Sequence, residues 1–206
     1  DLDRPDRFLY VLLRPQWKSW LVRGAYIITV FGGIVTLLLI NHYVDLGFHW
    51  AWSIGAVFAV LGAVYTAFLF NQARARDLWQ TPWVGAIHML VHAVIAGCVT
   101  MMMIDPGSTT AMRSILYFSI LLNVSIIAKE VLIPHDTPDS KKAIQLMTNG
   151  YYSRYFWTGL ILGSFLPFLI LTANPGYDLV AGVFALIGIF LTEFVRIRVP
   201  QMIPLS

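Results

Sequence analysis

Cysteine and charge are both scarce in this sequence, and each shortage excludes a class of protein. The single thiol, Cys98, rules out an internal disulfide framework, a paired-cysteine metal site and a cysteine-ligated iron–sulfur cluster. It lies inside an apolar block, where a lone cysteine serves as a small packing residue. Charged residues are 12% of the 206, against roughly 25% in a water-soluble domain. The net charge of +3 and the pI of 9.1 are no sign of a nucleic-acid partner. The basic residues fall between apolar blocks and make no continuous basic face. Histidine is sparse too: of five, only His88 and His92 fall well inside an apolar block.

What fills the sequence instead is hydrophobic residues, 58% of the chain, with a mean hydropathy of +0.70. They come in blocks of about twenty, the length that crosses a hydrocarbon core of ~30 Å at 1.5 Å per residue. Backbone polar groups in lipid must be satisfied internally, so the blocks are helices. The expected fold class is an all-α integral membrane protein with about six spans. They run over 20–40, 50–70, 83–104, 114–128, 155–172 and 179–195. Trp17, Trp20, Trp50, Trp52, Trp79, Trp83 and Trp157 all lie near span ends, where indole prefers the headgroup layer. Pro167 should kink the fifth span unless neighbouring helices re-satisfy the freed carbonyl. In the long polar loop after the fourth span, Asp139 or Ser140 is expected to cap a short helix through Gln145 and Met147.

The loops alternate in charge. One side carries Arg4, Arg7, Arg14, Lys18, Arg23, Arg74, Arg76, Lys129, Lys141, Lys142, Arg154, Arg196 and Arg198. The other carries Arg113 with Asp45, Asp105 and Asp178. The excess of lysine and arginine assigns the first side to the cytoplasm, and a docked partner would select the same basic loops. Residues 1–206 read as a single transmembrane helical domain. The opening, Asp1-Leu2-Asp3-Arg4-Pro5, reads like an interior loop, so further helices are expected upstream and this chain is expected to be the C-terminal portion of a larger subunit.

Polar groups within a span are costly, and each is a candidate for function. Tyr65 lies near the basic end of the second span. His88 and His92, one turn apart on the third, share a face. The second and third spans are joined by a short loop, so the three residues are expected to meet at similar depth. Three readings of the histidines compete: polar packing against a neighbouring helix, haem ligation, and a headgroup site for a lipophilic quinone. Two histidines on one helix cannot hold the two faces of one haem, which counts against the second. In the third, Tyr65 and a histidine bind the headgroup and the imidazole moves a proton. Glu130 ends the fourth span. Glu193 stands three residues before Arg196, either as a plain ion pair or as part of a proton exit or docking surface. Asn123, at mid-span, is expected to bond across to another helix.

Several stretches together resemble one family. They are Tyr65-Thr-Ala-Phe-Leu-Phe-Asn-Gln-Ala-Arg-Ala-Arg-Asp-Leu-Trp79 and Glu193-Phe-Val-Arg-Ile-Arg-Val-Pro-Gln201-Met-Ile-Pro-Leu-Ser206. With them go Asp1 through Phe8 to Arg14-Pro15 and Ser19-Trp20, and His135-Asp-Thr-Pro138 leading to Gly150 and Phe156-Trp157. Their order and spacing are similar to those of the NrfD/polysulfide reductase membrane subunits, along nearly the whole chain. The resemblance implies a pair of four-helix bundles in a prokaryotic cytoplasmic membrane. It implies exchangeable menaquinone or ubiquinone, no haem and no iron–sulfur cluster in this chain. The implied partners are an iron–sulfur electron-transfer subunit and a molybdopterin-type catalytic subunit, docked over Arg74, Arg76, Lys141, Lys142 and Arg154. Tyr65 matches the family tyrosine that contacts the quinone headgroup. His88 and His92 depart from the family pattern, which has apolar or small residues there. On this reading the site is Tyr65, His88 and His92, with Glu130 and Glu193 as proton groups. A non-catalytic anchor and a proton- or ion-translocating subunit are the alternatives.

Overall fold

The computed structural model describes residues 10–44, 46–73, 76–133, 137–173 and 176–204. Six helical segments among them are long and apolar enough to cross a membrane. They are α1 (Trp20–Val44), α2 (Trp50–Asn71), α3 (Pro82–Ile104), α4 (Thr109–Leu132), α6 (Ser153–Ala173) and α7 (Asp178–Gln201), with α5 (Pro138–Thr148) a short helix in the long loop. This is the expected all-α, multi-pass membrane fold, and each sequence-derived span falls on one of the six. The helices run past the expected boundaries by up to several residues, because helical hydrogen bonding continues through the headgroup layer after hydrophobicity has ended.

The ends follow local rules. Pro82 opens α3 at a position where a missing N–H costs nothing. Before α4, the Asp105 side chain accepts from the Gly107 N–H at 3.0 Å. The cap of α5 is neither Asp139 nor Ser140, as expected from sequence, but Thr137, whose hydroxyl accepts from the Ser140 N–H at 3.2 Å. Pro138 explains the shift: its fixed φ suits the first helical position, which puts the cap one residue earlier, at Thr137.

Pro167 does not break α6. The helix widens instead into a π-helical turn over Ile161–Phe165, just where the proline ring would meet the carbonyl four residues back. The turn is also where α6 comes closest to α7. A Cβ built on Gly188 would lie 2.0 Å from Gly163 Cα, and one on Gly159 would lie 3.1 Å from the Gly188 carbonyl oxygen. Only glycine lets these backbones touch, as small residues do between helices in lipid.

Helices α3, α4, α6 and α7 make a four-helix bundle. The α1–α2 hairpin lies against its α3 side, α2 on α3 and α1 on α2. The hairpin is the least buried part of the chain. Two apolar clusters fill the bundle. One, at the basic end, joins α5, α6 and α7 through Met147, Phe156, Val195 and Val199. The other, toward the opposite end, joins α3, α4 and α7 through Ile95, Cys98, Leu116, Ile120 and Ala185. Cys98 is a packing residue, 4% exposed.

Candidate functional site

Between the two apolar clusters lies a buried polar layer. Its members come from three helices: His88 and His92 from α3, Asn123 and Glu130 from α4, Glu193 and Arg196 from α7. One turn separates the histidines, so both rings leave α3 on one side, with centroids 4.2 Å apart. They are 0% and 8% exposed, and Asn123 is 2% exposed.

Arg196 is the hub. Its Nη1 donates to Glu193 Oε1 at 2.9 Å, and its Nε lies 3.1 Å from Glu130 Oε2. Nη1 also points at His88 Nδ1, 2.5 Å away. A guanidinium has donors only, so His88 Nδ1 is an acceptor and the ring proton of neutral His88 sits on Nε2. That proton is donated to Asn123 Oδ1 at 2.8 Å. The same oxygen faces His92 Nε2 at 2.9 Å and accepts from it. One polar contact is left open, His92 Nδ1 to Glu193 Oε1 at 3.6 Å.

His88, His92 and Glu193 bring their ligand atoms within 4.8 Å of one another, close enough for a metal ion. The donor set does not fit one. Asn123 occupies both Nε2 atoms, and the Arg196 cation lies against His88 Nδ1.

A cleft of about 370 Å³ leads from the basic side to this layer, bordered by Asp77, Thr81, Lys129, Glu130, Ser140 and Arg196. A small cavity of about 30 Å³ lies on the other flank of Arg196 and reaches Glu193, Gly85 and Met89.

Tyr65 is elsewhere. Its ring lies over Gly24 of α1, where a Cβ would come 2.3 Å from Tyr65 Cε2. Two residues on, Ala67 turns the opposite way and packs on Gly85 of α3. The expected meeting of Tyr65 with His88 and His92 therefore does not occur: Tyr65 faces α1, and the histidines face α4 and α7. The Tyr65 hydroxyl makes no hydrogen bond among the described residues. One to two turns nearer the basic end of the same α1–α2 contact, Trp20 stacks on Phe68 at 4.5 Å, and Gln72 accepts from the Trp20 N–H at 2.8 Å.

The basic loop residues divide. Lys141, Lys142 and Arg154 are exposed. Arg76 donates to the carbonyls of Pro200 and Ile203, at 2.8 and 2.7 Å, and so caps the end of α7. Its guanidinium is spent on those carbonyls rather than displayed for docking. Arg74, His135 and Asp45 lie outside the described residues.

The expected Glu193–Arg196 pair and the cross-helix role of Asn123 are both present. Sequence reasoning missed that Arg196 also serves Glu130 and His88. It also missed a second buried pair at the opposite end, where Arg113 Nη1 lies 3.3 Å from Asp178 Oδ1 and Arg113 donates to the Leu171 carbonyl. The available signal was the lone cation among acidic residues on that side.

A family model described as polysulphide reductase, NrfD, matches residues 1–204. No curated protein and no solved structure matches the chain.

Proposed function

The chain belongs to the polysulphide reductase (NrfD) family, and on that premise we propose that it is the quinone-binding membrane subunit of a respiratory oxidoreductase. In this reading the chain passes electrons between a menaquinone or ubiquinone pool and an iron–sulfur partner, in a prokaryotic cytoplasmic membrane. A molybdopterin-type subunit completes the complex. The chain supplies binding and orientation, and the quinone supplies the redox chemistry.

The observation that carries the reading is Tyr65. A phenol near the basic end of α2, seated on a glycine and with no hydrogen-bond partner for its hydroxyl among the described residues, is a ready donor to a quinone carbonyl. Gly24 is what lets the ring come this close to α1. One turn toward the basic end, the stacked rings of Trp20 and Phe68 give an apolar wall of the kind such headgroups pack on. His88 and His92 are buried behind α3 and serve the layer described above rather than the headgroup. Lys141, Lys142 and Arg154 are exposed, and so available to a docked partner on that face.

The test is quinol-analogue oxidation by the purified complex, with assembly of the partner subunits followed in parallel. Tyr65→Phe removes one hydrogen bond, so kcat/KM should fall about tenfold, the equivalent of ~1.4 kcal/mol. Gly24→Ala should reproduce the loss by pushing the ring aside. Unchanged rates in both variants, with assembly intact, would leave a non-catalytic anchor as the better account.

A further inference from the structure

Every ring nitrogen in the polar layer has a hydrogen-bond partner except His92 Nδ1. With Nε2 donating to Asn123, Nδ1 of a neutral His92 presents a lone pair to Glu193 Oε1 across 3.6 Å. That distance is too long for a hydrogen bond, and two lone pairs facing each other repel. One added proton on Nδ1 turns the contact into an imidazolium–carboxylate pair, which closes to about 2.7–2.9 Å. His88 has no such capacity, because Arg196 already donates to its Nδ1.

Among the described residues, the approach to this position comes from the basic side. The cleft bordered by Thr81, Lys129 and Ser140 reaches Arg196 from the basic side, and the small cavity continues from Arg196 to Glu193. Its volume of about 30 Å³ is enough to hold water. Past His92, Ile95, Val99 and Ile120 close the bundle at 0%, 1% and 1% exposure.

We propose that His92 and Glu193 form a proton-binding site that exchanges one proton with the aqueous phase on the basic side through the Arg196 cleft, while His88 stays neutral. The proton arrives from water and adds to His92 Nδ1. It leaves by the same path, and no bond other than N–H forms or breaks. The charged and titratable groups facing the pair are His88 from α3, Glu130 from α4 and Arg196 from α7, with Asp77 and Lys129 at the cleft rim. From α2, only the apolar Ala67 and Phe70 border the small cavity. The site does not depend on the quinone reading, since it is built from α3, α4 and α7 and the Tyr65 position from α1 and α2.

The experiment is nitrogen-15 magic-angle-spinning NMR of the full chain, ring-labelled at histidine, in lipid bilayers. Spectra are taken from about pH 5 to about pH 9, a range that brackets histidine titration. One buried histidine should pass from the neutral Nε2–H form to imidazolium as pH falls, and His92→Gln should remove that signal. The other buried histidine should stay neutral with its proton on Nε2. Glu193→Gln should abolish the imidazolium, because a carboxamide donates to Nδ1 and holds the ring neutral. Glu193→Asp, which keeps the carboxylate, should retain it. Val84 also lines the cleft, and in a Cys98→Ala background Val84→Cys should be labelled by a membrane-impermeant thiol reagent from the basic side. Two buried histidines that stay neutral throughout, or an imidazolium unaffected by Glu193→Gln, would overturn the proposal. Labelling of Val84→Cys from the opposite side alone would overturn the access route.

Discussion

Replacing Arg196 by methionine should unfold the bundle before any other single change in the polar layer. The side chain is retained in volume, so the effect is electrostatic. Methionine leaves Glu193 facing an apolar interior without its cation and removes the donors to His88 and Glu130. Breaking a buried pair by removing one partner costs about 3–5 kcal/mol. The carboxylates are 12% and 17% exposed, so water reaches their edges and the lower end, about 3 kcal/mol, is expected. For a chain of this length that is ~6–12 °C in Tm. Cys98 supplies the assay: it is the one thiol in the sequence and is buried, so a thiol-reactive dye reports opening of the α3–α4–α7 core. Adding Glu193→Gln to Arg196→Met removes one of the two stranded charges and should restore about half of the loss, a coupling read from the double-mutant cycle. Arg196→Lys should fall between, since one ammonium cannot serve three partners in fixed directions. A methionine variant within about 2 °C of the parent would refute the view of Arg196 as the hub. So would a double variant no more stable than the single one.

Gly188→Ala puts a Cβ 2.0 Å from Gly163 Cα, backbone against backbone, so α6 and α7 must separate. The cost should be about 3 kcal/mol, at the upper end for overpacking, and should appear as a lowered Tm in the same thiol assay. Asp178→Asn strands the Arg113 cation at the opposite end of the bundle. Because Arg113 is a quarter exposed, the loss should be about 1–2 kcal/mol, detectable as a smaller Tm shift.

The spans were legible because lipid imposes a simple rule, about twenty apolar residues per crossing, and nothing in water-soluble folding competes with it. The turn that absorbs Pro167 was not legible, since a kink and a π turn are both answers to the same missing N–H, and the choice depends on Gly163 fitting against Gly188. The shared face of His88 and His92 follows from their spacing alone. Which way that face points does not: periodicity gives angles between residues on one helix, never the angle of the helix to its neighbours. Hence Tyr65 was expected beside the histidines and lies against α1 instead. Asn123 was legible as a cross-helix donor or acceptor because an amide at mid-span has no other use. Its position between two histidines needed α3 and α4 to be packed in register. Arg196 was read by its nearest acidic neighbour in sequence, whereas Glu130 and His88 come from other helices.

Depth gives His92 a property that Arg196 and Glu130, nearer the basic end, lack. His92 stands ten residues into α3 from Pro82, about 15 Å along the axis and close to half of a ~30 Å hydrocarbon core. A charge carried across a whole membrane changes energy by ~2.3 kcal/mol per 100 mV. A proton moved to half depth through protein would therefore change by at most ~1.2 kcal/mol per 100 mV, a factor of about seven in occupancy. The cleft shortens the part of the path that feels the field, because water in it carries the basic-side potential inward as far as Arg196. What remains is the step from Arg196 past Glu193 to His92, two turns of α3 at most. Beyond it, Ile95, Val99 and Met102 occupy the rest of the helix on the buried face. A proton held at His92 thus returns to the side it came from far more easily than it crosses that apolar stretch. The layer behaves as a one-sided store whose filling is biased, but not driven, by the membrane potential.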